Sequence, residues 1–80
     1  MKELFIVVHR NYADGMDAYA FWSEEAAKKS INADVDTVMK SLAEEGYEPI
    51  VLRYKPEEIE VYTSDRNIYY EWHIIISNVQ

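Results

Sequence analysis

Two strictly alternating runs near the end of the chain constrain its architecture more than any other feature. Glu58 to Thr63 places Ile59, Val61 and Thr63 on one side and Glu58, Glu60 and Tyr62 on the other. Ile68 to Ser77 repeats the pattern: Ile68, Tyr70, Trp72, Ile74 and Ile76 share one face, while Tyr69, Glu71, His73, Ile75 and Ser77 share the opposite one. Side chains along a strand point alternately to the two faces of a sheet, so a period of two marks a strand with one face against a core. Ser64-Asp65-Arg66-Asn67 between the runs is turn chemistry, and two such runs around a short polar turn make a β-hairpin. With Thr63 opposite Ile68, the core side pairs Val61 with Tyr70 and Ile59 with Trp72. The outer side then pairs Tyr62 with Tyr69, Glu60 with Glu71, and Glu58 with His73.

A lone hairpin is marginal in water, and the rest of the chain supplies the cover. Leu4 to His9 is rich in β-formers and apolar at both parities, which reads as a central strand covered on both faces. Asp14-Gly15 is a turn signal, and Ala18 to Trp22 returns as a second strand. Ser23 stands where an N-cap belongs, with Glu24 and Glu25 behind it in the first turn, where the helix dipole favours them. Ala27, Ile31, Val35, Val38, Met39 and Leu42 form one helical stripe, and Gly46 follows as a C′ cap. A helix from about 24 to 45 is roughly 33 Å long, longer than strands of five to seven residues. Asn32-Ala33-Asp34 is its weakest stretch and the expected place for a kink. Pro49 to Tyr54 reads as a third strand and Lys55-Pro56-Glu57 as a turn. The expected fold is α+β, a single domain over residues 1–80, in the order ββαβββ: an antiparallel sheet of about five strands with one long helix on one face. The other sheet face has no dedicated cover.

Composition narrows what such a domain does. Eight basic residues against fifteen acidic ones leave a net charge of −7. Phosphate recognition needs the reverse balance, so direct nucleic-acid binding is not expected, nor is attraction to anionic membranes. A basic partner surface is electrostatically complementary. The acidity is uneven: residues 1–40 carry five basic and seven acidic residues, and residues 41–80 carry three and eight. There is no cysteine and no Asn-x-Ser/Thr sequon, and the apolar run Leu4 to Val8 is too short for a signal peptide core or a membrane span. The chain reads as cytoplasmic.

Catalysis is where the sequence is most negative. It has no thiol nucleophile, no Gly-rich phosphate loop, no HExxH and no G-x-S-x-G. If the first and last strands are neighbours, His9 and His73 can approach and Glu71 can complete a three-ligand metal set; two unrelated surface or edge histidines are the simpler reading. The adjacent glutamate pairs lie at helix ends or turns, where solvated carboxylates are ordinary. No catalytic residue, metal or cofactor is therefore assigned. The informative excess is aromatic: eleven Phe, Trp and Tyr residues, seven of them Tyr, a residue type enriched at interfaces. Phe5, Phe21, Tyr70 and Trp72 suit a core, whereas Tyr12, Tyr19, Tyr62 and Tyr69 are harder to place inside. Two carboxylates facing one another across the hairpin, Glu60 and Glu71, oppose each other beside the Tyr62–Tyr69 pair, a local conflict of the kind that marks working surfaces.

Phe21-Trp22-Ser23-Glu24-Glu25-Ala26-Ala27-Lys28-Lys29 and Tyr69-Tyr70-Glu71-Trp72-His73-Ile74 together resemble small acidic orphan proteins encoded by bacteriophages and other mobile elements. That resemblance implies an accessory product acting on a host component, as anti-CRISPR and anti-restriction inhibitors do, some by mimicking the charge of DNA. The expected function is a non-enzymatic interaction module that blocks a basic or nucleic-acid-binding surface of a host protein. The expected contact residues are Glu58, Glu60, Tyr62, Tyr69, Glu71 and His73, with the helix-end cluster Glu44, Glu45 and Glu48 as secondary candidates. Two alternatives use the same face: a nucleotide or small-ligand sponge that stacks a base, and a homodimer that hides it.

Overall fold

A computed structural model of the chain describes residues 2–13, 15–55, 58–63 and 68–79, with side chains throughout except at Arg53, Tyr54, Lys55 and Val79. The elements run β1 (Lys2–Asn11), β2 (Gly15–Phe21), α1 (Glu24–Glu44), β3 (Pro49–Lys55), β4 (Glu58–Thr63) and β5 (Tyr69–Val79). All strands pair antiparallel in the order β2-β1-β5-β4-β3, which is the ββαβββ sheet with one helix that the sequence predicts. The predicted turn residues Asp14, Pro56, Glu57 and Ser64 to Asn67 lie outside the described residues.

The hairpin register agrees with the one drawn from alternation: Tyr62 faces Tyr69, Glu60 faces Glu71, and Glu58 faces His73. It closes where Thr63 N–H donates to Ile68 C=O at 3.1 Å and Ile68 N–H reaches the buried Thr63 hydroxyl at 3.4 Å.

Helix α1 starts as its cap predicts. Ser23 is extended, and its hydroxyl accepts from Ala26 N–H at 3.1 Å. At the other end Gly46 takes φ +90°, which costs little without a Cβ. Gly46 N–H then donates to Ala43 C=O and Tyr47 N–H to Leu42 C=O, the two bonds of a Schellman ending. Lys28 pairs with Glu24 at 2.8 Å and Lys29 with Glu25 at 3.8 Å, one helical turn apart in the favourable direction.

No kink occurs at Asn32-Ala33-Asp34. The helix is continuous from Glu24 to Glu44, and the Thr37 hydroxyl donates to Ala33 C=O across the weak stretch. The strands explain why no break is needed. β1 has ten residues and β5 eleven, about 34–37 Å at 3.4 Å per residue, and a helix of 21 residues is about 32 Å long. Helix and central strands match in length, and the molecule is elongated at 47 × 22 × 19 Å.

The core lies between α1 and one sheet face. Ala27, Ile31, Val35 and Leu42 of the helix meet Phe5 and Val7 of β1, Ile59 and Val61 of β4, and Trp72 of β5, with Val38 and Met39 packed against the same cluster. At roughly 25 cal/mol per Å² of apolar surface removed from water, these side chains are the main favourable contribution to folding. The reading of Leu4 to His9 as covered on both faces is corrected here. Phe5 and Val7 face the helix, but Leu4, Ile6 and Val8 point the other way, where no described element packs. Only neighbours within the sheet shield them.

Candidate partner-binding face

The register fixes which side chains share the uncovered face. β2 contributes Met16, Ala18 and Ala20, and β1 contributes Leu4, Ile6, Val8 and Arg10. β5 adds Tyr69, Glu71, His73, Ile75 and Ser77, β4 adds Glu58, Glu60 and Tyr62, and β3 adds Ile50 and Leu52. All six residues expected to meet a partner (Glu58, Glu60, Tyr62, Tyr69, Glu71 and His73) therefore lie together, each half-buried. The secondary candidates do not join them. Glu44 and Glu45 end α1 and Glu48 follows it, all exposed; Glu45 acts electrostatically on Tyr70, on the helix side of the sheet.

The Glu60–Glu71 opposition is less of a conflict than alternation alone suggests. The Tyr69 hydroxyl lies 2.7 Å from Glu60 Oε1 and 2.7 Å from Glu71 Oε2, so one phenolic hydrogen is shared between two carboxylates. Arg10, brought opposite Glu71 by the β1–β5 register, approaches the other Glu71 oxygen with Nη1 at 3.2 Å. Burial, and then the hydrogen bonds to Glu71 and Glu60, push the Tyr69 phenol far above its usual range, because ionising it would set a third negative charge between two others. The arrangement is a small, held array of negative charge. Beside it is a shallow concavity of about 200 Å³ lined by Glu58, Ile59, Glu60, Glu71, Trp72 and His73. That is below the roughly 300–1,000 Å³ typical of small-molecule sites, and the carboxylates repel phosphate. Both features weigh against a nucleotide sponge.

The two histidines do not meet. β1 and β5 are neighbours, but His9 stands opposite Trp72 on the helix side and His73 opposite Val8 on the outer side. Among the described residues no group of three potential ligands forms. His9 instead stacks on Trp72 with centroids 4.7 Å apart, and its Nδ1 lies 3.2 Å from Glu71 C=O. Tyr70 stacks on Trp72 and meets Tyr12 edge-on. The phenol of Tyr70 is raised by burial, then by Tyr12 and Glu45. Tyr12 and Tyr19 are exposed, as their sequence positions suggest.

Sequence reasoning missed the apolar half of this face. Leu4, Ile6, Val8, Ala18, Ala20 and Ile75 form a stripe alongside the acidic array. Its signal was present in the double-parity run Leu4 to Val8, which was read as burial under two layers.

No described helix is long and apolar enough to cross a membrane. Comparison of the chain with protein-family models, curated proteins and solved structures finds no match.

Proposed function

We propose that this protein is a non-enzymatic interaction module that binds a basic surface of a partner protein through the outer sheet face, in the manner of a phage-encoded inhibitor that blocks a nucleic-acid-binding site. The observation that carries the reading is one continuous, uncovered face on which Glu58, Glu60 and Glu71 stand beside Tyr62 and Tyr69, next to an apolar stripe. Protein interfaces combine an apolar centre with a charged, hydrogen-bonding margin, and this face has both. Negative charge held in place steers a basic partner to it, while the apolar stripe supplies area that leaves water on docking. The resemblance to small acidic phage proteins points to a host protein as the target and the cytoplasm as the place of action.

The test uses three immobilised proteins against a bacterial lysate: wild type, Glu58→Lys/Glu60→Lys, and Glu44→Lys/Glu45→Lys as a helix-side control. A partner captured by wild type and the control but lost from the face variant supports the reading. Its association rate should fall with the face variant and lose much of its salt dependence. A partner held equally by the face variant, and released by the helix-side variant, moves the interface to the Glu44, Glu45 and Glu48 end.

A further inference from the structure

The two sides of β5 are paired to different extents. Along β1 it is paired over its full length, from Asn11↔Tyr70 to Lys2↔Val79. Along β4 it is paired only from Tyr62↔Tyr69 to Glu58↔His73. Among the described residues no strand lies against the β4 side of β5 beyond His73. The backbone parity there is fixed by two hydrogen bonds. Ile68 C=O accepts from Thr63 on the β4 side, while Tyr69 C=O accepts from Tyr12 on the β1 side. Strand N–H and C=O groups alternate between sides, and the β1 register is unbroken. Ile74, Ile76 and Asn78 therefore direct their N–H and C=O groups to the open edge.

Native sheets blunt such edges with charge, proline or bulges. The sequence of β3 carries Pro49, Arg53 and Lys55 with a register shift between Arg53 and Lys55, and β2 carries Gly15 and Asp17. The open part of β5, Ile74-Ile75-Ile76-Ser77-Asn78-Val79, has no charge, proline or glycine. Ile75 is 47% exposed and Ile76 55% exposed. An uncharged window rich in β-branched residues, along backbone that no described strand pairs, is a template for another strand.

We propose that the strand it takes is the same segment of a second copy of this chain, giving a two-fold dimer with one continuous sheet. An uncharged window in a molecule of net charge −7 lets two such molecules come together along this edge without facing like charges. Glu71 lies six residues from Ser77, about 20 Å along the strand, so the acidic arrays stay well beyond a Debye length of about 8 Å from the two-fold. The geometry also selects a register. Glu58 fills the place opposite His73, so a two-fold at Ile76 would drive the partner's Val79 into it. A two-fold at Ser77 keeps the partner's described residues clear of Glu58, setting Ile76 opposite the partner's Asn78 as a hydrogen-bonded pair and Ser77 opposite the partner's Ser77 as a close, non-hydrogen-bonded pair. The dimer uses the sheet edge and leaves the outer face open, so it stands or falls independently of the proposed function.

The chain has no cysteine, so Ser77→Cys introduces a single thiol. Non-hydrogen-bonded pairs bring Cα atoms to about 4.5 Å, within disulfide range. Mild oxidation should yield a covalent dimer in high yield, whereas Lys29→Cys, on the exposed helix surface, should give only slow collisional product. Ile76→Pro deletes an outward N–H while leaving the β1 ladder intact, and should weaken dimerisation at least roughly tenfold by sedimentation. A wild type that sediments as a monomer at high micromolar concentration overturns the proposal. So does Ser77→Cys crosslinking no faster than Lys29→Cys, a readout that holds even if the proline variant fails to fold.

Discussion

Replacing Tyr69 by Phe removes one oxygen and keeps the ring, which isolates the worth of the shared hydroxyl. In the wild type that oxygen sits 2.7 Å from each of two carboxylates that face one another across β4 and β5. A hydrogen bond to a charged group contributes about 1.5–3 kcal/mol, but one hydrogen serves both acceptors here. The Glu71 side chain is also 22% exposed, so water takes over part of its solvation. Two carboxylates directly opposite, no longer bridged by the phenol, then add a cross-strand penalty of a few tenths of a kcal/mol, within the range of about 0.2–1 kcal/mol for such pairs. The expected loss is about 1–2 kcal/mol, or a fall of about 4–8 °C in Tm per kcal/mol for a domain of this size. Urea unfolding followed by tryptophan fluorescence measures it. Adding Glu60→Gln to the Tyr69→Phe protein should restore only the opposed-charge part of the loss, a few tenths of a kcal/mol, because one of the two charges is gone. A Tyr69→Phe protein as stable as wild type, or one made worse by Glu60→Gln, would refute the reasoning.

Leu42→Ala should cost about 2–5 kcal/mol, because Leu42 is 3% exposed within the core cluster; chemical denaturation reads this directly. Alkaline stability follows from the raised phenols of Tyr69 and Tyr70. The unfolded chain releases these protons near pH 10 while the folded one retains them, so their contribution is full below pH 10 and is lost as pH rises above it. Thermal melts from pH 8 to 11 should show that decline, and Tyr69→Phe should flatten it.

Much of this fold could be read from period and punctuation. Alternation in Glu58 to Ser77 specified the hairpin register and the face of every residue in it, since a slip of one residue would have moved Trp72 into water. Ser23 and Gly46 marked the helix ends because each solves a local backbone problem unaided. Three features were not legible in this way because they depend on non-local pairing. Arg10 reaches Glu71 only because β1 lies beside β5, and the separation of His9 from His73 is a matter of the same register. The unkinked helix depended on β1 being longer than its apolar run, since Lys2, Glu3 and Asn11 at its margins are poor strand signals. The candidate face was legible on the hairpin side and misread on the β1 side, where an apolar residue turned to an uncovered face looks the same in sequence as one under a second layer.

The pairing of Lys2 with Val79 has a consequence for how the chain reaches its folded state. The strand joining the two halves of the sheet is the last one in sequence: β1 and β2 form a local hairpin, β3, β4 and β5 form another local unit, and only β5 against β1 unites them. Those contacts span nearly the whole chain, and closing so long a loop early is entropically costly. Folding should therefore be slow for 80 residues, in the millisecond-to-second range typical of non-local sheets. During synthesis β1, paired with β2 on one side, has to wait with its other edge open until β5 has been made.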